Sequence, residues 1–216
     1  MRNCTTTSLY ESVEACPGEK NLPGLRRRLY FILKSWIVVW PVLIAADAAG
    51  ATMEKMSQLV GDFTLAADKF WQFIDLKDES SNVTYESVGE NGSKLFLNKV
   101  NAIVAGMKDA VKGFARQANN DDLVFLYQNR DGSFCLVGNE MFKTSTSPSG
   151  DTGSEATGAI TSTFDIQAYD ECPVPTYLGK ILIDATHYID AADGKTKAVE
   201  EDNEGDESNS NDPVMP

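Results

Sequence analysis

Basic residues are scarce in this 216-residue chain: 19 Lys and Arg stand against 32 Asp and Glu, a formal charge of −13. Gripping phosphates rests on clustered cations exchanging with counterions, so tight DNA or RNA binding is not expected. Histidine is rarer still, with His187 alone, so a Ser-His-Asp or Cys-His arrangement would have to be built on that one imidazole. Four cysteines, Cys4, Cys16, Cys135 and Cys172, form no C-x-x-C pair and do not join His187 at a zinc spacing. Free thiols are expected; a Cys4–Cys16 bridge would need an oxidising compartment that nothing else indicates. Long apolar runs are missing too. The best stretch, residues 30–51, is broken by Lys34, Pro41 and Asp47, short of the ~20 clean residues a spanning helix needs. Residues 1–28 are polar, with Glu11, Glu14, Glu19 and Lys20, and do not read as a signal peptide. Gly89, Gly92, Gly150, Gly153 and Gly158 fall into no G-x-x-x-x-G-K or G-x-G-x-x-G run, which removes support for a phosphate-cradling loop. No repeat of solenoid period is visible.

What is present suits a folded chain. Hydrophobic residues make up 42% and aromatics 9%, enough for one core and hardly two. Residues 1–24 read as an N-terminal arm, rich in Thr, Ser, Gly and Pro and ending in the turn Asn21-Leu22-Pro23-Gly24. Residues 25–190 read as a β-rich domain, and residues 191–216, with Glu200, Glu201, Asp202, Glu204, Asp206, Glu207 and Asp212, as a disordered acidic tail.

Within the domain, residues 25–42 are dense in aromatic and β-branched side chains and predict one long strand, or two with a bend near Lys34-Ser35. Residues 45–56 are assigned to no element. Residues 70–76 and the alternating 83–88 read as neighbouring strands across a turn at 78–82, with a third strand at 94–97. Met107, Ala110, Val111 and Phe114 recur at helical spacing and predict the one helix. Residues 123–128 and 133–137 flank Asn129-Arg130-Asp131-Gly132, a hairpin turn in which Gly supplies the positive φ. Residues 145–158 read as an open polar loop. A half-buried strand follows at 160–168, stopped by Cys172-Pro173-Val174-Pro175, and a short edge strand at 181–183.

No residue passes as a catalytic, cofactor-binding or metal-binding group. His187 sits between a Thr and a Tyr near the tail and reads as a surface residue. Cys135 lies in a strand between Phe134 and Leu136 and reads as a buried structural thiol. Asp121-Asp122 reads as a turn or cap before a strand rather than an acid/base pair, and the tail lacks the spacing of a calcium loop. Arg26-Arg27-Arg28, ahead of a strand in an acidic chain, read as partners for carboxylates of another subunit sooner than as a phosphate contact. The arm, the 145–158 loop and the tail are extensions of the sort that order on association.

Several stretches carry a resemblance. They are Leu22-Pro23-Gly24-Leu25-Arg26-Arg27-Arg28-Leu29-Tyr30-Phe31-Ile32 up to Trp40-Pro41, Gly61-Asp62-Phe63, and Asn119-Asn120-Asp121-Asp122-Leu123-Val124-Phe125-Leu126. The last runs into Asp131-Gly132-Ser133-Phe134-Cys135-Leu136-Val137-Gly138-Asn139, and Ser162-Thr163-Phe164 later leads to Cys172-Pro173-Val174-Pro175. Over about residues 20–180 the chain resembles the tail-tube family of bacteriophage virion proteins, in which a helix precedes a hairpin and a Ser/Gly loop precedes a late strand. The acidic tail beyond Asp190 departs from that pattern. The resemblance implies a β-sandwich flanked by a helix, joined between six subunits into rings with a continuous inner β-barrel that stack through arms and loops. It implies a virion protein, assembled in the host cytoplasm, whose partners are its own copies, other virion proteins and DNA passing without specific contact. It implies no enzyme activity, no cofactor and no membrane. By flanking position and composition, residues 26–40 and 145–158 are the expected subunit contacts.

Two other roles fit the same body. One is a different virion part: a head-tail connector, a short-tail ring component or a capsid-decorating protein. The other is a ligand- or carbohydrate-binding β-sandwich, for which Trp36, Trp40, Trp71 and Tyr85 would make a stacking face.

Overall fold

The computed structural model describes residues 9–14, 17–18 and 22–199. Most of the arm, Cys4, Cys16 and the acidic run from 200 onward lie outside them. Sixteen strands and one helix follow in order. They are β1 Leu25–Leu33, β2 Ile37–Val39, β3 Val42–Leu43, β4 Gln58–Val60, β5 Thr64–Leu65, β6 Gln72–Asp75, β7 Asn82–Val88 and β8 Leu95–Ala105. After helix α1 Asp109–Ala118 come β9 Leu123–Asn129, β10 Phe134–Val137, β11 Ser145–Asp151, β12 Thr161–Asp170, β13 Thr176–Tyr177, β14 Lys180–Leu182, β15 His187–Asp190 and β16 Lys195–Ala198. The chain is thus mainly β with one helix.

A seven-stranded sheet, ordered β3-β4-β13-β10-β9-β1-β6, forms the middle of the molecule. Its central strands are apolar on both faces, which is why residues 123–127 run Leu-Val-Phe-Leu-Tyr without alternation. On one face Leu29, Phe125, Tyr127, Cys135 and Val137 meet Val100, Ala102, Val104, Phe164, Ile166 and Ala168 of a four-stranded sheet, β11-β12-β8-β7. On the other, Tyr30, Ile32, Val124, Leu126, Phe134 and Leu136 pack on Phe63, Trp71, Tyr177, Ile181 and Ile189. The pairs β2-β5 and β14-β15-β16 belong to that second side.

The predicted bend at Lys34-Ser35 is a 3-10 turn, Lys34–Trp36, between β1 and β2. The hairpin β9-β10 has the expected turn, with Gly132 at φ 108°. Helix α1 starts on Asp109, whose carboxylate meets Lys112 at 2.7 Å in the first turn, where a negative charge favours the helix dipole. Its inner face is Val111, Phe114, Ala115 and Ala118; Ala110, expected inside by spacing, is exposed. Phe114 bridges Phe31 of β1 and Phe164 of β12, with ring centroids 4.7 and 5.1 Å away.

Four expectations are corrected. Strands β6 and β7 are not paired: β6 joins β1, β7 joins β8, and the connection crosses between sheets where Lys77 N–H donates to Ile103 O at 2.7 Å. The strand expected at 94–97 continues to Ala105. Residues 145–151 are not loop but β11, paired with β12 along its whole length; only residues 152–160 remain irregular. Residues 191–199 are not disordered: they turn and return as β16 against β15.

Gly138 closes β10 at φ 111°, and an added Cβ would sit 2.7 Å from Thr144 Oγ1 and 3.4 Å from Val124 Cα. Gly138→Ala therefore combines backbone strain with a collision against a buried neighbour, and a loss of about 2–3 kcal/mol is expected by urea unfolding. A change under about 0.5 kcal/mol would show that the turn relaxes freely.

Candidate assembly surface

Among the described residues the four-stranded sheet is covered on one face only. Along β12, Ser162, Phe164, Ile166, Ala168 and Asp170 point inward, and the alternate residues meet solvent. The outward residues form cross-strand rows: Asn82–Asn101–Asp165–Ser147, Thr84–Lys99–Gln167–Ser145, and Ile103–Thr163–Ser149. Hydroxyls and amides dominate. Lys99 is the single basic residue of the four strands, and Glu86 neutralises it at 2.7 Å. Asn101 Nδ2 donates to Asp165 Oδ1 at 2.6 Å. A polyanion lying on this face would find no uncompensated cation.

The edges of the sheet are β11 and β7, seven residues each, and among the described residues each is paired on one side only. An uncovered edge offers a row of backbone donors and acceptors to another chain. Because all three pairings are antiparallel, β7 and β11 run in opposite directions.

At one end of this sheet a buried turn is clamped by Asn98, which is fully buried. Its Nδ2 donates to Cys172 O at 3.1 Å, and its Oδ1 accepts Val174 N–H at 3.2 Å. Val174 is held at φ 38°, strained for a β-branched residue, so Asn98 holds the Pro173-Val174-Pro175 turn. Asp170 beside it is also buried and accepts Cys172 N–H at 3.2 Å. Burial pushes its pKa upward against that hydrogen bond.

An ionised Asp170 is disfavoured in the folded chain, so the folded chain holds this proton more tightly than the unfolded one. Its contribution makes stability rise as pH falls from neutral toward the ordinary carboxylate value of 3.8. Asp184, Asp190 and Asp193 are held below that value by hydrogen bonds and by Lys197, and their stabilisation is lost only as pH falls further. Asp170→Asn is expected to flatten the upper limb of a melting-temperature profile between pH 7 and 4 and leave the lower limb. An unchanged upper limb would assign that pH dependence elsewhere.

The residues weighed for chemistry do not converge. His187 is half-exposed in β15, and its Nδ1 lies 2.8 Å from Thr186 Oγ1 and 3.1 Å from Asp184 Oδ1, all within one local turn. Hydrogen bonds from Thr186 lower Asp184 to about 2, fixing that turn. Cys135 and Cys172 are buried free thiols; burial raises both, Cys172 to about 11, so neither is a ready nucleophile. Asp122 receives Thr144 N–H at 2.9 Å and pairs with Lys34 at 3.6 Å, a structural task. Among the described residues no three His, Cys, Asp or Glu side chains cluster as metal ligands, and no helix is long and apolar enough to cross a membrane.

The aromatic stacking face does not exist as one surface. Trp71 is buried against Phe63, Trp40 packs on the other side of Phe63, Lys69 covers Trp36, and Tyr85 stands on a different sheet beside Phe96. Of the three arginines expected to reach another subunit, two are also paired within their own chain: Arg27 with Asp78 at 3.1 Å, and Arg28 with Asp75 at 3.4 Å while lying over Phe73. Residues 29–33 lie inside the central sheet between β6 and β9, with Leu29, Tyr30 and Ile32 buried and Phe31 and Leu33 half-buried. The free β11 edge is the element that composition hid. No family model, curated protein or solved structure matches the chain.

Proposed function

We propose that this chain is a structural, non-enzymatic subunit of a bacteriophage virion that forms stacked rings of the tail tube, a β-sandwich of the tail-tube type joined edge to edge around a DNA channel. The observation that carries this reading is the four-stranded antiparallel sheet with two long free edges running in opposite directions. Placed head to tail, β7 of one copy and β11 of the next continue an antiparallel ladder, and rotation closes it into a barrel without edges. Six copies would contribute 24 strands; with strands ~4.8 Å apart and tilted ~40°, the barrel radius is about 24 Å, wide enough for a duplex. The face turned inward would be the hydroxyl- and amide-rich one, whose single lysine is already paired, so DNA would slide rather than stick. The −13 formal charge of the chain supports the same behaviour.

Negative-stain electron microscopy of the purified chain over a concentration series, alongside its light-scattering mass, tests this. Rings or tubes with a central channel are the expected result. A strict monomer at high concentration would overturn spontaneous tube formation and turn attention to a capsid-decorating or ligand-binding role, and one closed ring that never stacks would fit a connector.

A further inference from the structure

We propose that the surface groove between residues 38–43 and the turn at 139–141 is a socket for the 22–27 end of a second copy, joining copies head to tail along the strands. This rests on the assembly reading above, which supplies the neighbouring copy. The groove encloses about 530 Å³. Its walls are apolar yet open: Val38 is 64% exposed, Val42 62% and Met141 65%. Large aliphatic side chains gathered on one surface offer apolar area for a contact. Around them stand Glu140 and Glu171, neither of which forms an ion pair among the described residues. The occupant should therefore be apolar and basic together.

The opposite end of the same chain has that chemistry. Register places the two features apart: Leu25 stands opposite Asn129 at one end of the β1-β9 ladder, and Leu33 opposite Leu123 at the other. Val137 pairs with Phe125, so residues 139–141 leave at the Leu33 end, where residues 38–43 also lie. A nine-residue strand, about 30 Å, separates that end from Leu22, Leu25, Arg26, Arg27 and Arg130. Leu22 is 54% exposed there.

Carboxylates accompany these cations, but loosely. Arg27 Nε lies 3.1 Å from Asp78 Oδ1, both side chains mostly exposed, and Arg130 reaches Glu79 at 3.7 Å. Exposed pairs of this sort hold weakly, so exchanging them for Glu140 and Glu171 of a neighbour costs little. Plug and socket occupy different surfaces, which makes the contact heterologous: it propagates in a line instead of closing as a twofold dimer. It runs along the strands of the seven-stranded sheet, whereas the β7-β11 seam lies at the edges of the four-stranded sheet, so the two contacts use different surfaces of each copy.

The test uses the full chain with Cys4→Ser and Cys16→Ser, leaving only the buried thiols, and adds Leu22→Cys or Val42→Cys. Mild oxidation of the two variants mixed should give a disulfide-linked dimer that neither gives alone, and the double variant should give a covalent ladder. Glu171→Arg should cut the mixed cross-link about tenfold, and Arg27→Glu on the partner should restore it. Light-scattering mass and microscopy of the reduced samples separate the two proposals. Rings without the cross-link would overturn the socket and leave ring closure standing. A ladder without rings would support the socket and overturn ring closure. Monomers that do not cross-link would overturn both.

Discussion

Thr84→Pro and Tyr85→Pro, one residue apart in β7, should differ in kind: one destabilises the chain, and the other leaves its stability nearly unchanged but blocks assembly. Successive residues of a strand direct their N–H groups to opposite sides. At one of these positions the N–H belongs to the β7-β8 ladder, and at the other it faces outward from the free edge. Proline at the ladder position leaves a β8 acceptor unmet and should cost about 2–3 kcal/mol. Proline at the outward position is the substitution that edge strands tolerate, so stability should stay within about 1 kcal/mol while the seam with β11 loses its donor. Urea midpoint and light-scattering mass are read on both variants, with Tyr85→Ala as a control for the ring that meets Phe96. If the well-folded proline variant assembles like the unmodified chain, β7 is not the seam.

Phe164→Ala is expected to lower stability by about 3–5 kcal/mol, the largest effect of any single substitution considered. Phe164 is 1% exposed and touches Phe114, which in turn touches Phe31, so three rings link β12, α1 and β1. The void would be walled by two sheets and a helix, each pinned by its own hydrogen bonds, and could not collapse far. Phe73→Ala, at the β6 edge with its ring 49% exposed under Arg28, should cost about 1 kcal/mol or less. Near-equal losses at the two positions in chemical denaturation would mean that the interior around α1 repacks.

Sequence pattern reached the parts of this fold whose burial is written in side chains. The β9-β10 hairpin has an apolar run on each side of a Gly-bearing turn, β12 alternates cleanly, and α1 repeats at helical period. Strand β11 was missed because its inward positions are Thr146, Pro148 and Gly150, which carry no apolar signal, and because proline argues against a strand unless the strand is an edge. Strand β8 was cut short at Asn98, a polar residue that reads as a loop but is buried to hold the 172–174 turn. Residues 70–76 and 83–88 looked like a local hairpin because their spacing allowed one, whereas each pairs with a strand distant in sequence. Strand β16, Lys195-Thr196-Lys197-Ala198, is short and carries no large apolar residue, so no hydrophobic pattern marks it. The candidate surface was the least legible of all: a free edge is a property of backbone groups left over after pairing, and no residue type announces it.

In the proposed ring, the strand count of the four-stranded sheet also bears on symmetry. With an even number, every junction between copies is antiparallel, whatever the number of copies in the circle; with three or five, every junction would be parallel. Pairing chemistry therefore does not choose between a pentamer, a hexamer and a heptamer. That choice falls to curvature, set by how strongly these strands coil and tilt, and substitutions that straighten or tighten the sheet would change the rotational order of a ring while leaving each seam chemically the same.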